Sequence, residues 1–141
     1  MELEYIEEPL KDSNRLEELF AKTQVKYALD ETLVSSESLH SWPNAAALIC
    51  KPSLLGGRKK IEQLADTGKP IVFSAAFESG VGVARIAQLA TQYSPTIPAG
   101  LDTLDWLQDS LLIEAVIKQD GLMTFPNPLQ VAETELEEIE I

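Results

Sequence analysis

Cysteine is nearly absent from this 141-residue sequence, and so are the signals of membrane insertion and secretion. Cys50 is the single cysteine, so an internal disulfide is excluded and a reducing compartment, the cytoplasm, is expected. No apolar run approaches the roughly 18 residues that a membrane-spanning helix needs. The first five residues, Met-Glu-Leu-Glu-Tyr, contain neither a basic segment nor an apolar stretch, so a secretory signal peptide is not expected.

Positive charge is also scarce. Eleven Lys and Arg residues face 23 Asp and Glu residues, which gives a net charge of −12. A nucleic-acid partner is therefore not expected, because binding to phosphates requires clustered basic residues. Five glutamates and no basic residue occur in residues 133–141, a composition typical of a solvated, poorly ordered tail. The remaining composition, with 45% hydrophobic residues overall, is that of one folded domain.

Short apolar segments alternate with segments of helical periodicity along the chain. This order predicts βα units and a parallel sheet, in an α/β fold whose sheet is covered by helices or closed into a barrel. Strands are predicted over residues 3–6, 25–29, 46–50, 70–74 and about 100–104. Helices are predicted over residues 13–22, 35–39, 56–66 and 79–92.

Four polar residues follow successive predicted strands: Glu7, Asp30, Lys51 and Ser74. The carboxyl ends of parallel strands meet at one edge, where α/β folds build their sites. These side chains are therefore expected to converge. Since successive residues of a strand point to opposite faces, Cys50 is expected to pack against helices while Lys51 points inward.

The residue types at this edge indicate a metal-assisted reaction. Two neighbouring carboxylates repel each other unless they are protonated or bind a cation, and oxygen ligands suit Mg²⁺. A partly buried lysine beside a metal ion is expected to have a lowered pKa and to accept a proton. A lysine that forms a Schiff base with a carbonyl substrate is an alternative that leaves the paired carboxylates without a role.

Five segments of the chain resemble, in order, the C-terminal half of the o-succinylbenzoate synthases, a branch of the enolase superfamily. The most specific are the Lys-Pro-Ser segment that begins at Lys51 and the Phe-Glu-Ser-Gly-Val-Gly segment that begins at Phe77. The resemblance extends to about residue 112. The five segments cover residues 7–9, 30–33, 48–57, 74–82 and 100–104.

The resemblance implies a fold and a reaction. The fold is a partial (β/α) barrel, about the last five strands of a (β/α)₇β barrel without the capping domain, over residues 1–112. Residues 113–141 form a C-terminal extension with the acidic tail. The reaction is the Mg²⁺-dependent syn-dehydration of 2-succinyl-6-hydroxy-2,4-cyclohexadiene-1-carboxylate, a small dicarboxylate, to o-succinylbenzoate for menaquinone or phylloquinone biosynthesis.

The resemblance also implies roles for single residues. Glu7 and Asp30 correspond to two Mg²⁺ ligands and Lys51 to a catalytic lysine. Substrate contacts correspond to Ser74, Gly80 and Gly100. A second lysine and a third metal ligand belong to strands that precede the Glu-Glu-Pro segment in the family and are not found in this sequence.

Two consequences of the missing strands are expected. The chain alone is inactive or nearly so, and it associates with a missing N-terminal half or with itself, because a half barrel leaves sheet edges and apolar surface open. N-succinylamino acid racemisation at the same site is an alternative activity. A non-catalytic half barrel that binds a partner chain is the alternative outside enzyme function.

Overall fold

A four-stranded parallel sheet forms the centre of the protein in a computed structural model that describes residues 3–36, 42–107 and 110–132. The strands follow one another in the sheet in chain order, and each is connected to the next by helical segments. The strands are β1 (Ile6–Glu7), β2 (Tyr27–Leu29), β3 (Ala45–Cys50) and β4 (Ile71–Phe73). The helices are α1 (Leu16–Thr23), α2 (Glu31–Ser35), α3 (Pro52–Leu55), α4 (Arg58–Ala65) and α5 (Gly80–Tyr93).

The sheet continues past β4 through one further backbone pairing. Ser74 forms a parallel bridge with Gly100, and the Gly100 amide donates to the Phe73 carbonyl at 2.8 Å. The predicted parallel α/β arrangement is therefore confirmed, with Gly100 on the fifth sheet segment. All five segments run in the same direction, so their carboxyl ends form one edge, called the rim below.

Side-chain alternation in β3 separates two apolar clusters. Leu48 and Cys50 belong to the main core between the sheet and the helices. Ala47 and Ile49 belong to a second cluster on the opposite face, together with Ala28. The predicted orientation of β3 is confirmed, since Cys50 is fully buried in the helical layer. Burial raises the pKa of its thiol to about 12, so Cys50 is a packing residue and not a nucleophile.

The helices follow their apolar periodicity, with one exception. Helix α5 buries Val83, Ile86 and Ala90, which recur on one face of the helix. The helix predicted over 56–66 forms as α4, and the exception is α3, a short helix before it that the sequence did not predict. Gly56 and Gly57 separate them because both have positive φ angles, of 83° and 110°, which end a helix.

The C-terminal part contains a hairpin that the sequence patterns did not predict. Strands β5 (Ile117–Gln119) and β6 (Leu122–Thr124) pair antiparallel around Asp120 and Gly121, which both have positive φ angles. Lys118 joins the hairpin to a 3₁₀ turn over Leu104–Trp106, because its amine lies 2.6 Å from an oxygen of Asp102 and 2.8 Å from one of Asp105.

Two sequence-based predictions fall wholly or partly outside the described residues. The helix predicted over 35–39 overlaps the undescribed residues 37–41, and α2 ends at Ser35. The acidic tail over 133–141 also lies outside the described part of the chain. Among the described residues, no helix combines the length and apolar character needed to cross a bilayer.

Candidate active site at the rim

Three charged residues that follow neighbouring strands interact at the rim. Lys51 begins the turn after β3, and its ammonium donates to a carboxylate oxygen of Asp30, which follows β2. The Asp30 side chain is 5% exposed and that of Lys51 is 21% exposed, so the pair is largely withdrawn from water. Glu7, at the end of β1, lies close enough to affect both groups electrostatically.

The surroundings of Lys51 hold it in the ammonium form. Burial acts to lower the pKa of this amine, but the hydrogen bond and charge of Asp30, with the charges of Glu31 and Glu7, raise it further. The net shift is upward. Three carboxylates outweigh burial here, whereas the lowered pKa expected from the sequence is that of a lysine beside a bound metal ion and stays a prediction.

The surroundings of Glu7 disfavour its charged form. Although Glu7 as a whole is exposed, partial desolvation of its carboxyl raises the pKa, and the charge and hydrogen bond of Asp30 raise it further, while Lys51 lowers it. Two carboxylates therefore share one ammonium group. A further cation between them would relieve their repulsion, which is the electrostatic condition of a metal site.

The donor set fits Mg²⁺ in chemistry, although it supplies a small number of ligands. Magnesium prefers oxygen ligands and is commonly held by one or two carboxylates together with water and substrate oxygens. Glu7 and Asp30 match that requirement. Within residues 3–36, 42–107 and 110–132, no group of three or more His, Cys, Asp or Glu side chains is arranged to hold a metal ion.

Ser74 and Gly100 lie together on the next part of the rim. The Ser74 hydroxyl donates to the Gly100 carbonyl at 3.3 Å, and the Ala75 amide donates to the same carbonyl at 2.8 Å. A Cβ atom at Gly100 would lie 3.1 Å from the Ser74 hydroxyl oxygen. The two predicted substrate residues are thus in contact, and their polar atoms already bond to each other.

Gly80, the first residue of α5, is buried against a later part of the chain. Its amide donates to the Ser110 carbonyl at 2.7 Å, and a Cβ atom there would lie 2.7 Å from the same oxygen. The Gly80 amide is therefore engaged within the chain, and the substrate contact implied for Gly80 by the family resemblance stays a prediction.

Two further glutamates organise the rim and were not predicted as site residues. Glu8 accepts hydrogen bonds from the turn that begins at Asp30. Glu78 accepts a hydrogen bond from Ser53 and another, at 2.7 Å, from the Ala76 amide, and so joins the turns after β3 and β4. The Glu-Glu doublet was visible in the sequence, but nothing in it distinguishes the two roles.

Comparison with known proteins relates this chain to o-succinylbenzoate synthases. No protein-family model matches the chain. An o-succinylbenzoate synthase from Haemophilus influenzae is 31% identical over 115 residues, which are 78% of this chain and 35% of that enzyme. An o-succinylbenzoate synthase from Pectobacterium atrosepticum is 30% identical over 113 residues, 77% of this chain and 35% of that enzyme.

A solved structure agrees with these relatives. The crystal structure of MenC from Desulfotalea psychrophila matches 87% of this chain and 37% of its own, with a TM-score of 0.72 and 30% sequence identity. The chain is homologous to part of o-succinylbenzoate synthase. Because the match to MenC covers most of this chain, the partial barrel expected from the enolase superfamily is confirmed.

The relationship to o-succinylbenzoate synthase is limited in extent. The chain spans 35% of the length of the o-succinylbenzoate synthases that it matches. The resemblance noted in the sequence, to the C-terminal half of these enzymes, agrees with that partial coverage.

Proposed function

We propose that this chain carries part of the active site of an o-succinylbenzoate synthase, a lyase that dehydrates 2-succinyl-6-hydroxy-2,4-cyclohexadiene-1-carboxylate. The product, o-succinylbenzoate, would enter menaquinone or phylloquinone biosynthesis in the cytoplasm. The observation that supports this proposal most directly is the contact among Glu7, Asp30 and Lys51 at one end of a parallel sheet. Their order along the chain is the order in which the related motifs occur.

Glu7 and Asp30 are the proposed Mg²⁺ ligands. When bound, Mg²⁺ supplies positive charge for a substrate carboxylate. The two side chains are suited to that task because they lie on adjacent strands and each places a carboxylate at the rim. Asp30 is held in place by its buried surroundings, whereas Glu7 remains accessible to solvent.

Lys51 is the proposed catalytic lysine, and its charge determines what it does. With its pKa raised, its amine is protonated at neutral pH. A substrate carboxylate gains negative charge when a proton leaves the neighbouring carbon, and an ammonium group fixed beside it stabilises that charge. The proton acceptor then has to be another group, and the described strand ends supply one lysine, Lys51.

The 141-residue chain alone is proposed to have little or no turnover. It contributes two carboxylates and one ammonium group to a site whose relatives are more than twice as long as this chain. Ser74 and Gly100 are retained in the proposal as residues that border the substrate, since they form the adjacent part of the rim.

The experiment is a dehydration assay with Mg²⁺ at high protein concentration. The chain is tested alone and mixed with a polypeptide that supplies the remaining length of a related synthase. We expect no turnover alone and measurable turnover in the mixture, which a chelator abolishes. Turnover by the chain alone would contradict the proposed incompleteness. A mixture that shows no dehydration but racemises N-succinylamino acids would contradict the proposed substrate.

A further inference from the structure

Glu8 occupies an unusual position beside the proposed metal ligands. Its carboxylate accepts a hydrogen bond from the Asp30 amide at 2.8 Å and another from the Thr32 amide at 3.3 Å. The Thr32 hydroxyl donates to its second oxygen at 2.5 Å. One side chain from the end of β1 thus bonds to three donors in the turn that connects β2 to α2.

These contacts replace a bond that Asp30 would ordinarily make itself. Asp30 is the residue immediately before α2, a position where an aspartate side chain usually accepts from the amide two or three residues ahead. Its side chain makes no such bond here. The Thr32 amide, two residues ahead, donates to Glu8 instead. The Asp30 carboxylate is therefore free to pair with Lys51.

The backbone at Glu8 shows that this arrangement has a conformational cost. Its φ angle is 37°, in the left-handed region that non-glycine residues seldom adopt. Glu7 and Glu8 are adjacent, yet their carboxylates address different partners. Glu7 faces the carboxylate of Asp30, while Glu8 binds the backbone of the same residue.

We propose that Glu8 is a positioning residue that caps α2 in place of Asp30 and so directs the Asp30 carboxylate toward Glu7 and Lys51. The inference rests on the proposed function only where it treats Asp30 as a metal ligand. When Glu8 is removed, Asp30 turns to cap its own helix at Thr32. The pair with Lys51 is then lost, and the site binds a divalent cation less tightly.

The test compares Glu8→Ala with Glu8→Gln in the full 141-residue chain. Glutamine has an oxygen that accepts from the two amides and an NH₂ group that donates to the Thr32 hydroxyl, so it keeps the contacts without the charge. Glu31→Ala is the matched control, because Glu31 is an exposed acid next to Asp30 and has the same charge.

The first measurement is the affinity for Mn²⁺, read from the broadening of nuclear magnetic resonance signals of residues beside Asp30. Loss of a side chain that supports a metal ligand typically costs about 10–100-fold in affinity, and we expect that loss in Glu8→Ala. Glu8→Gln restores most of the affinity, and Glu31→Ala stays within about fivefold of wild type. Equal losses in Glu8→Ala and Glu8→Gln would mean that Glu8 acts by charge alone and would overturn the proposal.

The second measurement needs no metal. A double-mutant cycle in urea unfolding, built from Asp30→Asn and Lys51→Met, gives the coupling between those two side chains. We expect coupling in wild type and in Glu8→Gln, and none in Glu8→Ala. Coupling that survives in Glu8→Ala would overturn the proposal. If Glu8→Ala does not fold, Glu8→Asp, whose carboxylate is one methylene too short, takes its place with the same criterion.

The two measurements separate the two proposals. If Mn²⁺ does not broaden the signals beside Asp30 in the wild-type protein, the result counts against the proposed metal site. The double-mutant cycle then decides the role of Glu8 by itself. Broadening in wild type that is unchanged in Glu8→Ala counts against the role of Glu8 alone.

Discussion

The rim has two parts that differ in how their polar groups are satisfied. On the part formed by β1, β2 and β3, the charged side chains of Glu7, Asp30 and Lys51 interact with one another. On the part formed by β4 and the Gly100 segment, the polar atoms of Ser74, Gly80 and Gly100 bond to the backbone of the same chain. Both parts lie at the carboxyl ends of strands in one sheet.

This difference separates two uses of the same position in a fold. In the charged part, two carboxylates share one ammonium group, so their mutual repulsion is only partly compensated. This remaining repulsion favours a bound cation. On the second part, the Ser74 hydroxyl, the Gly80 amide and the Gly100 carbonyl are already paired within the chain, so these groups do not favour a bound ion in the same way. Position at a strand end therefore identifies candidate residues, and only their bonding partners distinguish reactive groups from structural ones.

The largest expected effect breaks the charged part directly. Asp30→Asn removes a buried carboxylate that is a proposed metal ligand. Mutation of residues that only support a ligand costs up to about 100-fold in metal affinity, so we expect the Mn²⁺ affinity to fall by at least that factor. Signal broadening by Mn²⁺ measures it. Ser74→Ala, on the second part, leaves the affinity unchanged. Equal losses in the two variants would remove the distinction between the two parts.

A steric change tests the second part. Gly80→Ala places a Cβ atom 2.7 Å from both the Ser110 carbonyl oxygen and a methyl carbon of Leu112. We expect a loss of about 1–3 kcal/mol in the free energy of unfolding, as for other overpacked sites. Urea unfolding measures it. Ser79→Ala is the control, since Ser79 makes no side-chain capping bond. A neutral Gly80→Ala would show that residues 110–112 do not close on α5.

A smaller effect is expected from the hydroxyl at the same part of the rim. Ser74→Ala removes one hydrogen bond, which at 3.3 Å is long and partly exposed. The free energy of unfolding should fall by about 0.5 kcal/mol, the lower end for neutral hydrogen bonds. A loss several times larger in urea unfolding would show that the Ser74–Gly100 pairing holds more of the sheet than this contact accounts for.

The smallest effect is a change in pH dependence. The pKa of Glu7 is raised first by burial and then by Asp30, so its contribution to stability is present below its ordinary pKa and is lost as pH rises through the raised value. Glu7→Gln should therefore gain stability relative to wild type as pH rises from about 4 to 7. Urea unfolding across that range measures the difference.

Glu18 provides a comparison of opposite sign for that experiment. Its pKa is lowered by a hydrogen bond from Lys22 and another from Arg15, so its contribution is lost as pH falls. Glu18→Gln should lose stability relative to wild type over the same rise in pH. Parallel curves for the two variants would contradict the assignment of Glu7 to a crowded acidic site.

The general arrangement of the fold could be predicted from sequence because its signals are local. The apolar run of β3 and the periodicity of α5 depend on residues close together in the chain, and both elements form close to the predicted bounds. The hairpin of β5 and β6 was missed, although its Asp120-Gly121 pair is a common hairpin turn signal.

The candidate site could be predicted in part. Strand-end position brought Glu7, Asp30 and Lys51 together in the prediction, and the structure places them in mutual interaction. The role of Glu8 depends on its bonds to residues 22 and 24 positions away, and the partner of Gly80 lies at Ser110. Such long-range bonds leave no periodic pattern in the sequence, so they require the structure.

The alternation of side chains along β3 makes this strand intolerant of insertions and deletions. Cys50 and Lys51 are adjacent in the chain, but Cys50 points into the apolar core and Lys51 into the charged cluster. A deletion or insertion of one residue within β3 would exchange these directions. The thiol would then lie beside the carboxylates of the rim, and the ammonium group would be buried in the apolar core between the sheet and the helices. Evolution can therefore lengthen the loops around this strand far more readily than the strand itself.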